Sequence, residues 1–226
     1  VKAIREPFFA WPGWRIFGYY LLLGTGIALC FAMVYGACDW ITAHRSLRLP
    51  LHLSWESRIP FMPRMAPVYL SIFPMFWGIP FILRTRAELL AMAKTMGALI
   101  GIAGIGFLLL PAENAHPRPS NTDPLPGLFQ FADWLNLDHN DVPSLHVALA
   151  FLCVAVFERK AGPVGKSALW LWAAGVSAST LVTHQHHILD VATGMALGLI
   201  GAKVLYPRFL ASAYSGSNRM IPKSMT

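Results

Sequence analysis

Three long stretches of the chain carry no charged residue. Residues 16–38 make a run of 23, residues 65–83 a run of 19 and residues 95–112 a run of 18. A helix needs roughly 20 apolar residues to cross the hydrocarbon core of a bilayer, so each run predicts a membrane span. Three shorter apolar stretches follow, at 142–157, 167–183 and 188–206. Two of these carry ionisable residues, and Asp190 and Lys203 clip the ends of the last one. Helices inside a bundle accept such residues when they face the interior or a water-filled site. The expected fold is all-α, a polytopic membrane bundle of six transmembrane helices. Residues 1–226 are expected to form a single membrane domain, with no linker setting off a soluble module.

Punctuation along the chain refines this picture. Trp11 and Trp14 precede the first span and Trp40 follows it, as an interfacial aromatic belt would place them. Pro60, Pro63, Pro67, Pro74 and Pro80 predict kinks through the second span. Gly97, Gly101 and Gly104 in the third span, and Gly194, Gly198 and Ala202 in the sixth, offer small surfaces for close helix packing. Residues 42–59 read as an outer loop lying along the membrane as an amphipathic segment. Residues 111–141 form the longest loop, and their apolar part, 125–137, predicts a short interfacial helix.

Composition agrees with the membrane reading: 55% of the 226 residues are hydrophobic, only 13% are charged, and the mean hydropathy is +0.50. A soluble domain has about a quarter of its residues charged. With the N-terminus in the cytoplasm, thirteen of the 18 Lys and Arg fall on that side. Arg45, Arg48, Arg58, Arg64 and Arg118 fall on the other. The net charge of +7 is therefore a positive-inside signal. Nucleic-acid binding would cluster basic residues on one face, and it is not expected here. Cys30, Cys38 and Cys153 lie within spans and read as small packing residues, neither a disulfide nor a metal framework. The first apolar run is too long for the core of a cleavable signal peptide. The expected location is a bacterial inner membrane, with the site facing the periplasm or outside.

Polar groups at membrane depth mark the chemistry. Under this topology four features share the outer face: Arg118, the run Pro143-Ser144-Leu145-His146, the run Thr183-His184-Gln185-His186-His187, and Asp190. Pro143 suits a first helical turn, whose free N–H groups attract an anion, and Ser144 adds a hydroxyl. His146 follows on the same side. His186 and Asp190 are four residues apart, so on a helix the carboxylate stands beside the imidazole. A carboxylate on one ring nitrogen fixes the tautomer and leaves the other nitrogen free to attack. Arg118 supplies a fork of donors for phosphate oxygens. Singly, each has a plainer reading: a helix cap, a commonplace i,i+4 pair, a solvated loop cation.

Together these residues resemble the signature of the type 2 phosphatidic acid phosphatase superfamily, relatives of the vanadium haloperoxidases. That signature reads Lys-x6-Arg-Pro, Pro-Ser-x-His and Ser-Arg-x5-His-x3-Asp. Here the order is Pro111-x6-Arg118-Pro119, Pro143-Ser144-Leu145-His146 and Ser179-Thr180-x5-His186-x3-Asp190. The resemblance implies His186 as nucleophile, Asp190 as its orienting partner, and His146 as general acid and then base. It also implies Arg118 and Ser144 as phosphate ligands, with no metal and no cofactor. Pro111 and Thr180 stand where the signature has cations. Arg58 is a candidate to compensate, and equally a snorkelling interfacial Arg. The Thr180 departure and residues 58–74 resemble the inositolphosphorylceramide-synthase-like branch, which transfers a phospho-headgroup between lipids.

The resulting expectation is a metal-independent lipid phosphatase acting on lipid phosphates or phospholipids through a phosphohistidine. A phosphotransferase with the same first half-reaction is the alternative. Zinc binding by His146, His184, His186, His187 and Asp190 is a third reading. A non-catalytic transporter or scaffold is the last. The oligomeric state is not legible in the sequence.

Overall fold

The computed structural model describes residues 7–113, 116, 122–137 and 139–219, and for 216–219 the backbone alone. In chain order the helices are α1 (Trp14–Ala43), α2 (Ala66–Leu70), α3 (Ile72–Ile82), α4 (Arg86–Leu109), α5 (Pro126–Leu135), α6 (Leu145–Phe157), α7 (Pro163–Val182), α8 (Ile188–Ile200) and α9 (Tyr206–Arg219). Short 3₁₀ turns cover Glu56–Arg58 and Pro63–Met65, and a π turn, Gly201–Leu205, joins α8 to α9. Among the described residues β structure is confined to one bridge, Leu49 to Ala112, which stitches the loop after α1 to the loop after α4.

Among the described residues, four helical segments are long and apolar enough to cross a membrane: Trp14–Ala43, Pro63–Ile82, Arg86–Leu109 and Ile188–Ser215. Length and composition thus support four of the six expected crossings. α6 has only 13 residues, and all but His146 are buried against protein. α7 has 20 residues, but Ser, Thr and Lys166 dilute its apolar character.

Local chemistry explains the boundaries. Thr85 and Glu88 form a reciprocal capping box that starts α4 well before its apolar run. The second crossing breaks at Ser71, whose hydroxyl donates to the Val68 carbonyl and accepts from the Trp172 indole. Pro74 then falls in the first turn of α3, where its missing N–H costs nothing. Residues 44–59 form the loop expected after the first span, with residues 42 and 43 still belonging to α1, and the 3₁₀ turn in this loop buries Glu56 to 1% exposure.

α6 is the central post, with α8 against one side. The contact is backbone to backbone. A Cβ at Gly194 would collide with the Ser144 carbonyl, and one at Gly198 with the Ala148 carbonyl. α1 lies along α4 and meets α3 only sparsely. Cys30, Cys38 and Cys153 are free thiols, the last two buried.

Candidate active site

Two helix starts meet at the N-terminal end of α6. Ser144 is the N-cap of α6, and its hydroxyl oxygen accepts from the Val147 N–H at 3.3 Å. Pro143 therefore precedes the cap instead of opening the helix, because Ser is the better capping residue. The Ser144 N–H donates to the Asp190 carbonyl at 3.0 Å, which ties the start of α6 to α8.

His146 follows on the first turn. Its Nε2 lies 2.7 Å from the Tyr69 carbonyl, and its ring stacks on the Tyr69 ring at 3.9 Å. A carbonyl only accepts, so Nε2 keeps its proton and Nδ1 is the nitrogen that can take one up or give one away.

The α7–α8 turn sets the second histidine. α7 ends at Val182, and His184 adopts the left-handed conformation (φ 57°) usually left to glycine after a helix. The His184 Nε2 reaches the Ile59 carbonyl at 3.0 Å. The N–H groups of Gln185 and His186 both donate to the Thr180 carbonyl. His186 precedes α8 and His187 is its N-cap, so the His186–Asp190 pair spans the cap rather than lying along a helix. His186 Nδ1 still lies 3.5 Å from Asp190 Oδ2, with both residues almost fully buried. The same oxygen accepts from the His187 N–H at 2.8 Å, which holds the carboxylate in place.

His186 and His187 diverge. His186, with His146, Asn136 and Asn140, lines one end of a cavity of about 510 Å³ running down between α1, α3 and α4. His187 faces the other way: its Nδ1 is 2.7 Å from Glu56 Oε2. Glu56 also accepts from the N–H groups of Leu53 and Ile188. The His116 ring stacks on His184 at 4.0 Å and on His187 at 4.6 Å. Burial, then the neighbouring His184 and His187, push the His116 pKa down to about 4. His116 is thus neutral at pH 7 and does not restore the positive charge that Pro111 and Thr180 omit.

Asp141, buried to 2% exposure, brings a second carboxylate to the His186–Asp190 pair. Asp190 Oδ1, Asn140 Oδ1 and Gln185 Oε1 are buried without a hydrogen-bond partner among the described residues. Such a concentration of unsatisfied acceptors marks a place where a ligand or water belongs. Asn136 closes the arrangement from α5, donating to the Gln185 carbonyl and accepting from the Tyr35 hydroxyl.

Arg118 and Pro119 lie outside the described residues. Arg58 is exposed on its 3₁₀ turn and does not line the cavity. The Thr180 hydroxyl is spent on the Ser177 carbonyl. Among the described residues, two groups have ligand atoms within 4.8 Å of one another, as a metal ion would require: Glu56, His116 and His187, and Asp141, His186 and Asp190. The five zinc ligands considered from sequence do not gather, since His186 and His187 fall into different groups.

Glu56, Asp141 and Asn136 escaped the sequence reading. Each is an ordinary loop or helix-end residue until the fold brings it in. Only the position of Asp141, two residues before Pro143, was a usable signal.

A family model described as the PAP2 superfamily matches residues 93–213, more than half of the chain. No curated protein and no solved structure matches it.

Proposed function

The chain belongs to the PAP2 superfamily, and from that premise we propose an integral-membrane lipid phosphatase working through a phosphohistidine intermediate. The observation that carries this reading is His186 paired with Asp190 at 3.5 Å, with His146 lining the same cavity end. In the first step His186 Nε2 attacks phosphorus in line and the bond to the lipid oxygen breaks. His146, protonated at Nδ1, gives that proton to the departing alcohol. Asp190 supports the charge on the His186 ring. In the second step His146 takes a proton from water as its oxygen bonds to phosphorus. The P–N bond breaks, phosphate leaves, and both rings are restored. Arg118 and Ser144 are proposed to hold the phosphate oxygens, aided by the N–H groups opening α6, whereas Arg58, exposed and outside the cavity lining, is not assigned that role. The chemistry asks for no metal and no cofactor.

In this reading α6 and α7 complete six crossings of a single membrane domain. The site opens to the outer face, the periplasmic side of a bacterial inner membrane.

One observation favours a second reading. The site lacks cations at Pro111 and Thr180 and gains the buried carboxylate of Asp141. Such a site repels a dianionic phosphomonoester more than a monoanionic phosphodiester. A phosphotransferase that moves a phospho-headgroup to a lipid or sugar hydroxyl, as in the inositolphosphorylceramide-synthase-like branch, would suit it.

The deciding experiment offers labelled lipid phosphate and labelled phospholipid, with and without an alcohol acceptor, in the presence of a strong chelator. Label leaving as phosphate identifies the phosphatase, and label joining the acceptor the transferase. Activity lost to chelator and restored by zinc would replace the phosphohistidine with a metal centre. No turnover and no acid-labile phosphoenzyme would leave a transporter or scaffold.

A further inference from the structure

The 510 Å³ cavity meets His146, His186, Asn136 and Asn140 at one end. Below that its wall is mostly apolar side chains of α1, α3 and α4, with Thr25 and Tyr20 on α1 the polar exceptions. One face of α1 lines it from Tyr35 near the catalytic end to Tyr20 at the far end. Fifteen residues of helix make that depth about 22 Å at the usual rise. At the far end α1 and α3 are joined. The Tyr20 hydroxyl donates to the Phe76 carbonyl at 2.8 Å, joining α1 to α3, and Trp11, Phe17 and Phe81 pack together at the same end. The side between α1 and α3 is open, because the two helices scarcely touch, and Leu21, Phe73 and Trp77 are exposed along it. In a helix pair at membrane depth, that gap faces hydrocarbon.

Ordered water does not suit such a space, since water needs two or more polar partners. A hydrocarbon chain does. A depth of about 22 Å matches one extended chain of roughly 16–18 carbons. One leaflet of hydrocarbon is only about 15 Å deep, so the slot reaches further than a leaflet and stops at a floor.

We infer that the cavity between α1, α3 and α4 holds a single long hydrocarbon chain of the phosphorylated substrate and gauges its length against the Tyr20–Phe76 floor. The substrate is therefore a lipid phosphate engaged by one chain, any second chain staying in the bilayer. This rests on the phosphoryl-transfer reading of the His186 end. Transfer from bilayer to cavity exchanges one apolar medium for another, so discrimination comes from filling. A short chain leaves a void and a long one meets the floor.

The test is a series of single-chain alkyl phosphates of 8 to about 22 carbons, presented in mixed micelles at fixed mole fraction. The wild-type kcat/KM should peak near 16–18 carbons and fall at least fivefold at the longest chain. Gly24 lines the slot, and a Cβ there meets nothing within 4 Å. Gly24→Leu should therefore fill the slot about one turn above the floor and move the peak to chains about four carbons shorter. Gly18, exposed and outside the cavity, also has open space, and Gly18→Leu should keep the wild-type profile. Tyr20→Phe, which removes the floor hydrogen bond without adding bulk, should extend tolerance to longer chains. This variant keeps the idea testable if Gly24→Leu does not insert.

A flat wild-type profile, or an identical peak in folded Gly24→Leu and Tyr20→Phe, would overturn the assignment while leaving the headgroup chemistry intact. The converse is separable. If no phosphate ester is turned over, yet a photoreactive 16-carbon alcohol crosslinks to the peptide containing Ala28 and is excluded by Gly24→Leu, the slot stands and the phosphoryl reading falls.

Discussion

His186 and His187 are chain neighbours that receive carboxylates from different places. Asp190 comes from four residues downstream, Glu56 from the loop after α1, 131 residues away. The Glu56 contact is the shorter, yet His186 is the ring that meets the cavity. His186→Ala is expected to abolish both turnover and any acid-labile phosphoenzyme. His187→Ala should retain the phosphoenzyme and lose stability by about 1–3 kcal/mol, since it strips a buried carboxylate of one partner. Phosphoenzyme trapping and thermal unfolding in detergent read the two effects separately, and an active His186→Ala beside a dead His187→Ala would reverse the assignment. His146 has a different task. His146→Ala should slow cleavage of ordinary lipid esters by about 10²–10⁴-fold, the usual worth of a general acid. On a nitrophenyl phosphate, whose leaving group needs little protonation, the first step should be largely spared and the phosphoenzyme should accumulate. No such rescue is expected in His186→Ala. Equal losses for both variants on both substrates would make His146 a binding or structural residue. The His146 and His186 motifs are legible in sequence because each is contained in a few residues. Glu56 and Asp141 were not, because only folding turns a loop carboxylate into a histidine's neighbour.

At the scale of elements, the site depends on how closely α8 approaches α6. Gly194 and Gly198 let the backbones touch, and Asp190 rides on the same first turns. Gly194→Ala or Gly198→Ala should cost about 1–3 kcal/mol through overpacking, and should lower kcat by moving Asp190 away from Ser144. Gly101→Ala, where a Cβ meets nothing within 4 Å, should be neutral or stabilise α4 by up to about 1 kcal/mol. Thermal midpoints and kcat of the three variants check this, and equal tolerance at all three would remove the close approach from the account. Small residues at 194, 198 and 104 were rightly read as packing surfaces, whereas Gly101 is simply open. The long apolar runs located the crossings because the bilayer imposes their length. The break at Ser71 and the extension through α9 were not legible, as they follow from Trp172 and from packing on α4. The short helix expected within 125–137 is α5, Pro126–Leu135.

For the molecule as a whole, orientation decides where the chemistry happens. A membrane-impermeant thiol reagent on intact cells should modify Thr122→Cys, in the long loop beside the site. It should spare Gly162→Cys at the start of α7. The native thiols interfere little, because Cys38 and Cys153 are buried and Cys30 lies in the apolar middle of α1. The opposite pattern would turn the catalytic end toward the cytoplasm. The sideways opening between α1 and α3 also sets the kind of concentration this protein senses. A molecule that enters through a gap in its wall is supplied by diffusion in a plane, and occupancy follows how crowded that plane is, whatever the volume of water outside. Adding inert lipid at constant total substrate then starves the site as surely as removing substrate would, and a sudden influx of unphosphorylated membrane lipid becomes, for this chain, a form of inhibition by dilution.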